Sequence, residues 1–220
     1  MADGCELRLC GVADLDVEPG TVDAIITDPP YPREFLPQWS ELAEFAAHAL
    51  KPGGNLIAMS GHLFLDEIIH RFYETDGLVY RWTLACMTPG GNARIWPRKL
   101  YQGWKPMLWY TNGGGGVAAP ERWLEDRIVS TPDKRYHEWG QDVAVFNQLV
   151  LGFSAYGDLV CDPFLGGGTT AVSALLHGRR FIGCDTDEAA VRKSTARAEG
   201  AAEYVRAQKR DRQPDYTPAA

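Results

Sequence analysis

The chain has 220 residues, enough for one domain with a full core, and 45% hydrophobic with 23% charged residues is an ordinary soluble, globular composition. No basic-then-apolar segment opens it and no apolar run nears about 18 residues, so secretion and membrane spanning are not expected and a cytoplasmic location is. A net charge of −7 weighs against a generally basic nucleic-acid surface, yet residues 94–140 hold eight Lys and Arg against five Asp and Glu, a local excess of positive charge.

In chain order, strands are predicted at about 6–10 (ELRLC) and 22–27 (VDAIIT). Pro37 then opens a helix in which Trp39, Leu42, Ala43, Ala46 and Leu50 recur at helical spacing, and Lys51-Pro52-Gly53-Gly54 stops it. A strand at 55–60, a helix near 62–74 and strands at 79–87 and 107–111 follow. The last part alternates a helix near 142–155, a strand at 158–162, a helix at 169–177, a strand at 180–184 and a helix at 187–199. Short apolar runs alternating with helices imply an α/β fold, a mostly parallel, seven-stranded sheet with helices on both faces. One domain over 1–205 is expected, interrupted at 88–104 and by the run Gly113–Gly116, which predicts a mobile loop. The polar tail 206–220 is expected to be disordered.

The five cysteines (5, 10, 86, 161, 184) include no C-x-x-C pair and the five histidines no H-E-x-x-H spacing. A disulfide framework and a metal site are therefore not expected. Cys161 and Cys184 each end an apolar run and read as core.

Two loops carry candidate chemistry. Thr27-Asp28-Pro29-Pro30-Tyr31 follows a strand directly, where ligands of open α/β sheets bind. Asp28 is an acceptor when ionised, Pro29 offers a carbonyl without an N–H, two successive prolines aim that carbonyl, and Tyr31 presents an aromatic face. Two acceptors gripping the N–H bonds of an aromatic amino group favour a pyramidal nitrogen with its lone pair aimed outward, which is catalysis by positioning and electrostatics. The alternative is a Pro-rich turn capped by Asp28.

The second loop is Asp162-Pro163-Phe164-Leu165-Gly166-Gly167-Gly168-Thr169-Thr170, between a strand and a helix. Its glycines admit a ligand close to the backbone, and Thr169 or Thr170 is placed to cap the helix. Asp185 ends the next strand 17 residues after Gly168, where a carboxylate accepts from ribose hydroxyls. Gly166, Gly168 and Ala171 also satisfy G-x-G-x-x-A, a weak nicotinamide fingerprint. An acidic Asp162 at its start suits the amino group and sulfonium of S-adenosylmethionine better than a pyrophosphate, and there is no GK[ST] of a phosphate loop.

Together the loops resemble those of the amino-group DNA methyltransferases. D-P-P-Y looks like their catalytic motif and D-P-F-x-G-G-G-T-T like their donor-binding motif, usually written D-P-F-x-G-S-G-T-T. The order, catalytic motif first, is the circularly permuted arrangement of the β class. VDAIITDPPY, LKPGGNLIAMSG, GDLVCDPFLGGGTT and GRRFIGCDTDE all read like family segments, so the resemblance covers about residues 6–199. It implies a Rossmann-like methyltransferase fold, S-adenosylmethionine as cofactor, and DNA as partner with the base flipped from a duplex or taken from a single strand. Asp28, Pro29, Pro30 and Tyr31 would be catalytic. Asp162, Phe164, Gly166, Gly168 and Thr169 would form the donor pocket, and Asp185 would hold the ribose.

Many relatives carry H-P-x-x-K-P before the donor loop. Here the aligned stretch starts at His137, its only match, which makes His137 a further donor-pocket candidate. β-class enzymes also hold a target-recognition region, for which about 94–136 is the space available. There Arg94, Arg98, Lys99 and Lys105 interleave with Trp96, Tyr101 and Trp104, a pattern that suits nucleic acid. The D-P-P-Y form points to adenine-N6 in DNA. Cytosine-N4 transfer, adenine methylation of RNA and a donor-binding subunit without activity are the alternatives. Family members often dimerise, so a homodimer is a candidate assembly.

Overall fold

A computed structural model describes residues 4–88, 93–96, 98–114, 124–129 and 143–212. Ten strands, five α-helices and two short 3-10 helices (Val12–Asp14 and Arg33–Phe35) are formed among them. The strands are β1 (Cys5–Leu9), β2 (Val22–Thr27), β3 (Leu50–Met59), β4 (Leu78–Met87), β5 (Ala93–Ile95), β6 (Leu100–Gln102), β7 (Trp104–Asn112), β8 (Arg127–Val129), β9 (Leu159–Asp162) and β10 (Arg180–Asp185). The helices are α1 (Leu36–Ala49), α2 (Leu65–Tyr73), α3 (Val143–Phe153), α4 (Thr169–Leu176) and α5 (Glu188–Arg212).

Eight strands form one sheet in the order β1-β10-β9-β2-β3-β7-β4-β8, and β5 pairs with β6 as a separate hairpin. Within the large sheet only β7 is reversed, antiparallel to β3 and β4. Apolar residues alternate between two cores, as expected for strands buried on both faces. Ala24, Ile26, Ile57, Val160 and Phe181 face α3, α4 and α5 through Phe146, Leu149, Ala174 and Ala198. Ile25, Leu56, Ala58, Cys161 and Cys184 face α1 and α2 through Leu42, Ala46, Ile68 and Phe72.

The sheet has eight strands rather than the seven expected. The added β8 is three residues long with only Ile128 buried, too short to leave a periodic signal. It pairs with β4 at the sheet edge. The span 94–136 is not one insertion, because β7 within it is a central strand, with the β5–β6 hairpin before it and β8 after it. Of the expected mobile glycine loop, Gly113 is tied down: its N–H donates to the Gly77 carbonyl and its own carbonyl accepts from Arg81. Gly115 and Gly116 lie outside the described residues. α5 continues past 206 to Arg212, since its Ala, Glu, Arg, Lys and Gln residues are good helix formers despite their polarity. Among the described residues no helix is long and apolar enough to cross a membrane.

α1 ends at Ala49, so Leu50, expected in the helix, is instead extended and opens β3, and Lys51-Pro52-Gly53-Gly54 forms a bulge within the start of that strand. The register with β2 steps from Val22↔Leu50 to Ala24↔Asn55, and Gly53 takes φ 79° to make the step. A Cβ at Gly54 would lie 3.0 Å from the Lys51 carbonyl and 3.1 Å from that of Asp23. Asp23 binds Lys51 and accepts from the Leu159 N–H at 2.8 Å, joining the bulge to β9.

Chain connections leave β2 toward β3 on one side and β9 toward β10 on the other, so the sheet reverses direction between β2 and β9. Crevices at such points are where open α/β sheets bind ligands. Trp39 of α1 fixes one wall: it is fully buried, lies 6.0 Å from Phe72 between ring centroids, and donates from Nε1 to the Pro30 carbonyl at 3.2 Å. Trp39→Ala is expected to cost about 3–5 kcal/mol, and Trp39→Phe, which keeps most of the packing but loses the bond to Pro30, about 1 kcal/mol. Denaturant midpoints measure both, and an Ala variant as stable as the parent would remove Trp39 from this role.

Candidate active site

β2 and β9 pair in parallel at Ala24↔Val160 and Ile25↔Cys161, so their carboxyl ends emerge side by side. Thr27, the last residue of β2, donates from Oγ1 to Asp162 Oδ1 at 2.7 Å. Thr170 donates to Oδ2 at 2.7 Å and the Phe164 N–H to Oδ1 at 3.1 Å. Asp162 is only 3% exposed. Burial raises its carboxyl from 3.8 to about 6 against the pull of those three donors, and the nearby Asp28 charge pushes it further up. The carboxylates of the two loops therefore lie near enough to feel each other. Three of about four acceptor positions on Asp162 are used by the chain itself.

In the first loop Pro29 is buried while Asp28 and Tyr31 are half-buried. The Trp39 bond holds the Pro30 carbonyl, and the prolines carry that constraint back to Pro29. The Tyr31 hydroxyl donates to Asp28 Oδ1. Burial, followed by the Asp28 charge, raises the Tyr31 phenol well above its ordinary range, so it stays a protonated donor. Tyr31 also lines a cavity of about 250 Å³ with Gly61, His62, Phe64, Ile68 and Lys105.

The second loop makes a tight turn. The Leu165 N–H donates to the Cys184 carbonyl at 2.9 Å, and that of Gly168 to the Leu165 carbonyl at 2.8 Å. Gly166 and Gly168 have φ of 48° and 72°. A Cβ on Gly168 would lie 2.7 Å from the Ser194 Cβ, so this position excludes a side chain on both grounds. Asp185 accepts from the Gly166 N–H at 2.8 Å and the Asp187 N–H at 2.9 Å, tying the end of β10 to the turn. The expected helix cap is not formed by either threonine. Gly168 occupies the N-cap of α4 without a side-chain bond, and Thr170 turns its hydroxyl to Asp162 instead.

Asp28, Pro29, Tyr31, Asp162, Phe164, Gly166, Gly168, Thr169 and Asp185 thus gather at the carboxyl edge around the β2–β9 junction. The four candidate cations do not gather as one patch. Arg94, Arg98 and Lys99 belong to the β5–β6 hairpin, Lys99 at φ 52° in its turn. Arg98 lines a second cavity of about 370 Å³ with His62, Tyr101, Gln102 and Trp104. Lys105 points into the first loop, its Nζ 3.2 Å from the Tyr31 hydroxyl oxygen. His137 lies outside the described residues. Three contributors escape sequence reasoning: Thr27, Ser194, which donates to the Gly166 carbonyl at 3.0 Å, and Arg197, which binds the Gly167 carbonyl. The last two sit on the inward face of α5, in line with buried Ala198 and Ala201, in a stretch that carries no motif.

The Asp162 carboxyl generates a test. Its folded pKa lies above its unfolded one, so its contribution to stability is whole below about pH 3.8 and is lost as pH rises through about 6, roughly 3 kcal/mol across that window. Asp162→Asn keeps the shape and the acceptor, and the Thr170 hydroxyl can rotate to accept. The variant is expected to match the parent near about pH 4 and to exceed it by on the order of 1–3 kcal/mol at about pH 7.5. Denaturant unfolding at both values decides, and an advantage that does not grow with pH would refute the assignment.

Comparison with known proteins identifies the family. The DNA methylase family model for N6 and N4 methyltransferases matches residues 62–196, more than half of the chain, including the donor-type loop and beginning after the Asp28 loop. The type II methyltransferase M2.DpnII of Streptococcus pneumoniae is 37% identical over 174 residues, covering 70% of this chain and 63% of that protein. Among solved structures, the complex of M1.HpyAVI with SAM superposes with TM-score 0.70 at 21% identity, covering 88% of this chain and 98% of the other. The cytosine-N4-specific PvuII DNA methyltransferase gives 0.78 at 14% identity, with 92% of each chain covered. At those identities the structural likeness is one of fold, and the extended sequence match supplies the rest: the chain belongs to the N6/N4 family of DNA methylases.

Proposed function

We propose that this protein transfers a methyl group from S-adenosylmethionine to the N6 amino group of adenine in DNA. The observation that carries the reading is the buried bond from Thr27 to Asp162, which locks the Asp28 loop and the triglycine turn to one crevice. The residues fit the donor. At Gly166 a Cβ would meet only the Phe164 carbonyl, at 3.9 Å, so the turn is open to a ligand there, while Gly168 lets the turn pack against Ser194. One acceptor position of Asp162 is not taken by the donors Thr27, Phe164 and Thr170, and Asp185 binds the same turn. In this reading Asp162, Phe164, Gly166, Gly168 and Thr169 hold the donor and Asp185 takes its ribose. When bound, the donor supplies a methyl carbon on positive sulfur, and transfer releases one proton from the amino group.

Asp28 and the Pro29 carbonyl accept the two N–H bonds of the target amine, which aims its lone pair. Tyr31 packs against the flipped base. The base must displace or share the Tyr31 bond to Asp28, so the carboxylate is held in an acceptor geometry before the base arrives. The hairpin cations Arg94, Arg98 and Lys99 lie beside exposed Trp96 and Tyr101, a combination suited to phosphates and unstacked bases. Adenine is favoured by Asp at the first position of D-P-P-Y, where cytosine-N4 enzymes more often begin with Ser.

Two experiments test this. Incubation with duplex DNA, single-stranded DNA and RNA, followed by digestion to nucleosides, is expected to yield N6-methyladenine from DNA. N4-methylcytosine would reassign the base, and neither product would overturn the function. Asp28→Ala is expected to lower kcat by about 100-fold or more while calorimetric donor affinity stays about the same.

A further inference from the structure

Because β7 runs against its neighbours, its first residues lie at the same edge of the sheet as the last residues of β2 and β3. The Ser60 N–H donates to the Pro106 carbonyl at 2.9 Å, which pins Lys105 beside the catalytic loop. The Lys105 Nζ is 3.2 Å from the Tyr31 hydroxyl oxygen and 4.9 Å from the ring centroid, and the residue is half-buried. The phenol in turn donates to Asp28, so an ammonium, a phenol and a carboxylate form one chain ending at the acceptor. A lysine serving a phosphate would extend to the outer surface, as those of a nucleic-acid face do. This one is committed inward, in the wall of the cavity that Tyr31 lines.

We infer that Lys105 is a positioning residue for methyl transfer, one that anchors the Tyr31 phenol and through it orients the Asp28 carboxylate, rather than a contact to the DNA backbone. The inference rests on the amino-methyltransferase reading. Its physical content is local charge. Asp28 acts on Asp162 at the end of β9 and on the Tyr31 phenol, and Tyr31 in turn feels Cys86 on β4 and shares its cavity with His62 of the loop after β3. Asp162 opposes a second negative charge nearby, and Lys105 is the positive group joined to this cluster through Tyr31. The Lys105 cation, one phenol removed from Asp28, favours the charged form of that carboxyl and keeps it an acceptor.

The experiment compares Lys105→Met and Lys105→Arg with the parent protein on methylatable DNA, measuring kcat, KM for DNA, the pH profile of kcat and the salt dependence of KM. Calorimetric donor binding confirms that each variant is folded. Lys105→Met is expected to lose roughly tenfold in kcat, with the acid limb moving up by about one pH unit. KM for DNA and its salt slope stay near parental, and Lys105→Arg recovers most of kcat. An unchanged kcat and acid limb in Lys105→Met would overturn the inference. So would a loss confined to KM with the salt slope reduced by about one, the mark of a lost phosphate contact. A parent protein that methylates no nucleic acid would instead bring down the underlying reading.

Discussion

Thr27 and Asp162 meet at the ends of two neighbouring strands, one donating a hydroxyl proton and the other accepting it in a site almost closed to water. A polar pair of this kind is costly to bury unless every partner is present, and here Thr170 and the Phe164 N–H complete the set. The satisfied network leaves each loop little freedom relative to the other. One loop carries Asp28 and a constrained carbonyl, the other a turn of glycines, so the distance between acceptor and cradle is set by the sheet rather than by flexible chain.

The burial of Asp162 shows how a candidate site draws on the stability of its scaffold. A carboxylate there is held ionised at neutral pH against its surroundings, and the neighbouring negative charge of Asp28 adds to the strain. Such conflict is characteristic of sites whose groups are arranged for a reacting partner rather than for the empty fold.

The central strands are legible from sequence because VDAIIT and LVCD are short apolar runs flanked by turn residues, and both chemical loops follow them directly. Helix α1 is legible from the spacing of Trp39, Leu42 and Ala46, but it ends at Ala49, before the Leu50 that shares that spacing, because β3 already begins there. β8 is not, because three residues with one buried side chain carry no period. The end of α5 is misread since polarity alone does not separate a solvated helix from a disordered tail. Lys105 is read by composition as part of a basic segment, whereas its place depends on the reversed direction of β7, a tertiary property that no local pattern encodes. Ser194 and Arg197 are hidden for the same reason, reaching the turn only once α5 has packed beside α4.

The reversed strand also separates two kinds of change. Lys105 is fastened by its pairing with Cys86 of β4 and by the neighbouring bond from Ser60 to Pro106, while the hairpin of 93–102 makes its own two-stranded sheet. Ala93 and Gln102 of the hairpin line the Tyr31 cavity, so changes at its turn, around Lys99, alter the outer surface while leaving that wall in place. The fold offers evolution an exchangeable appendage next to a fixed chemical centre.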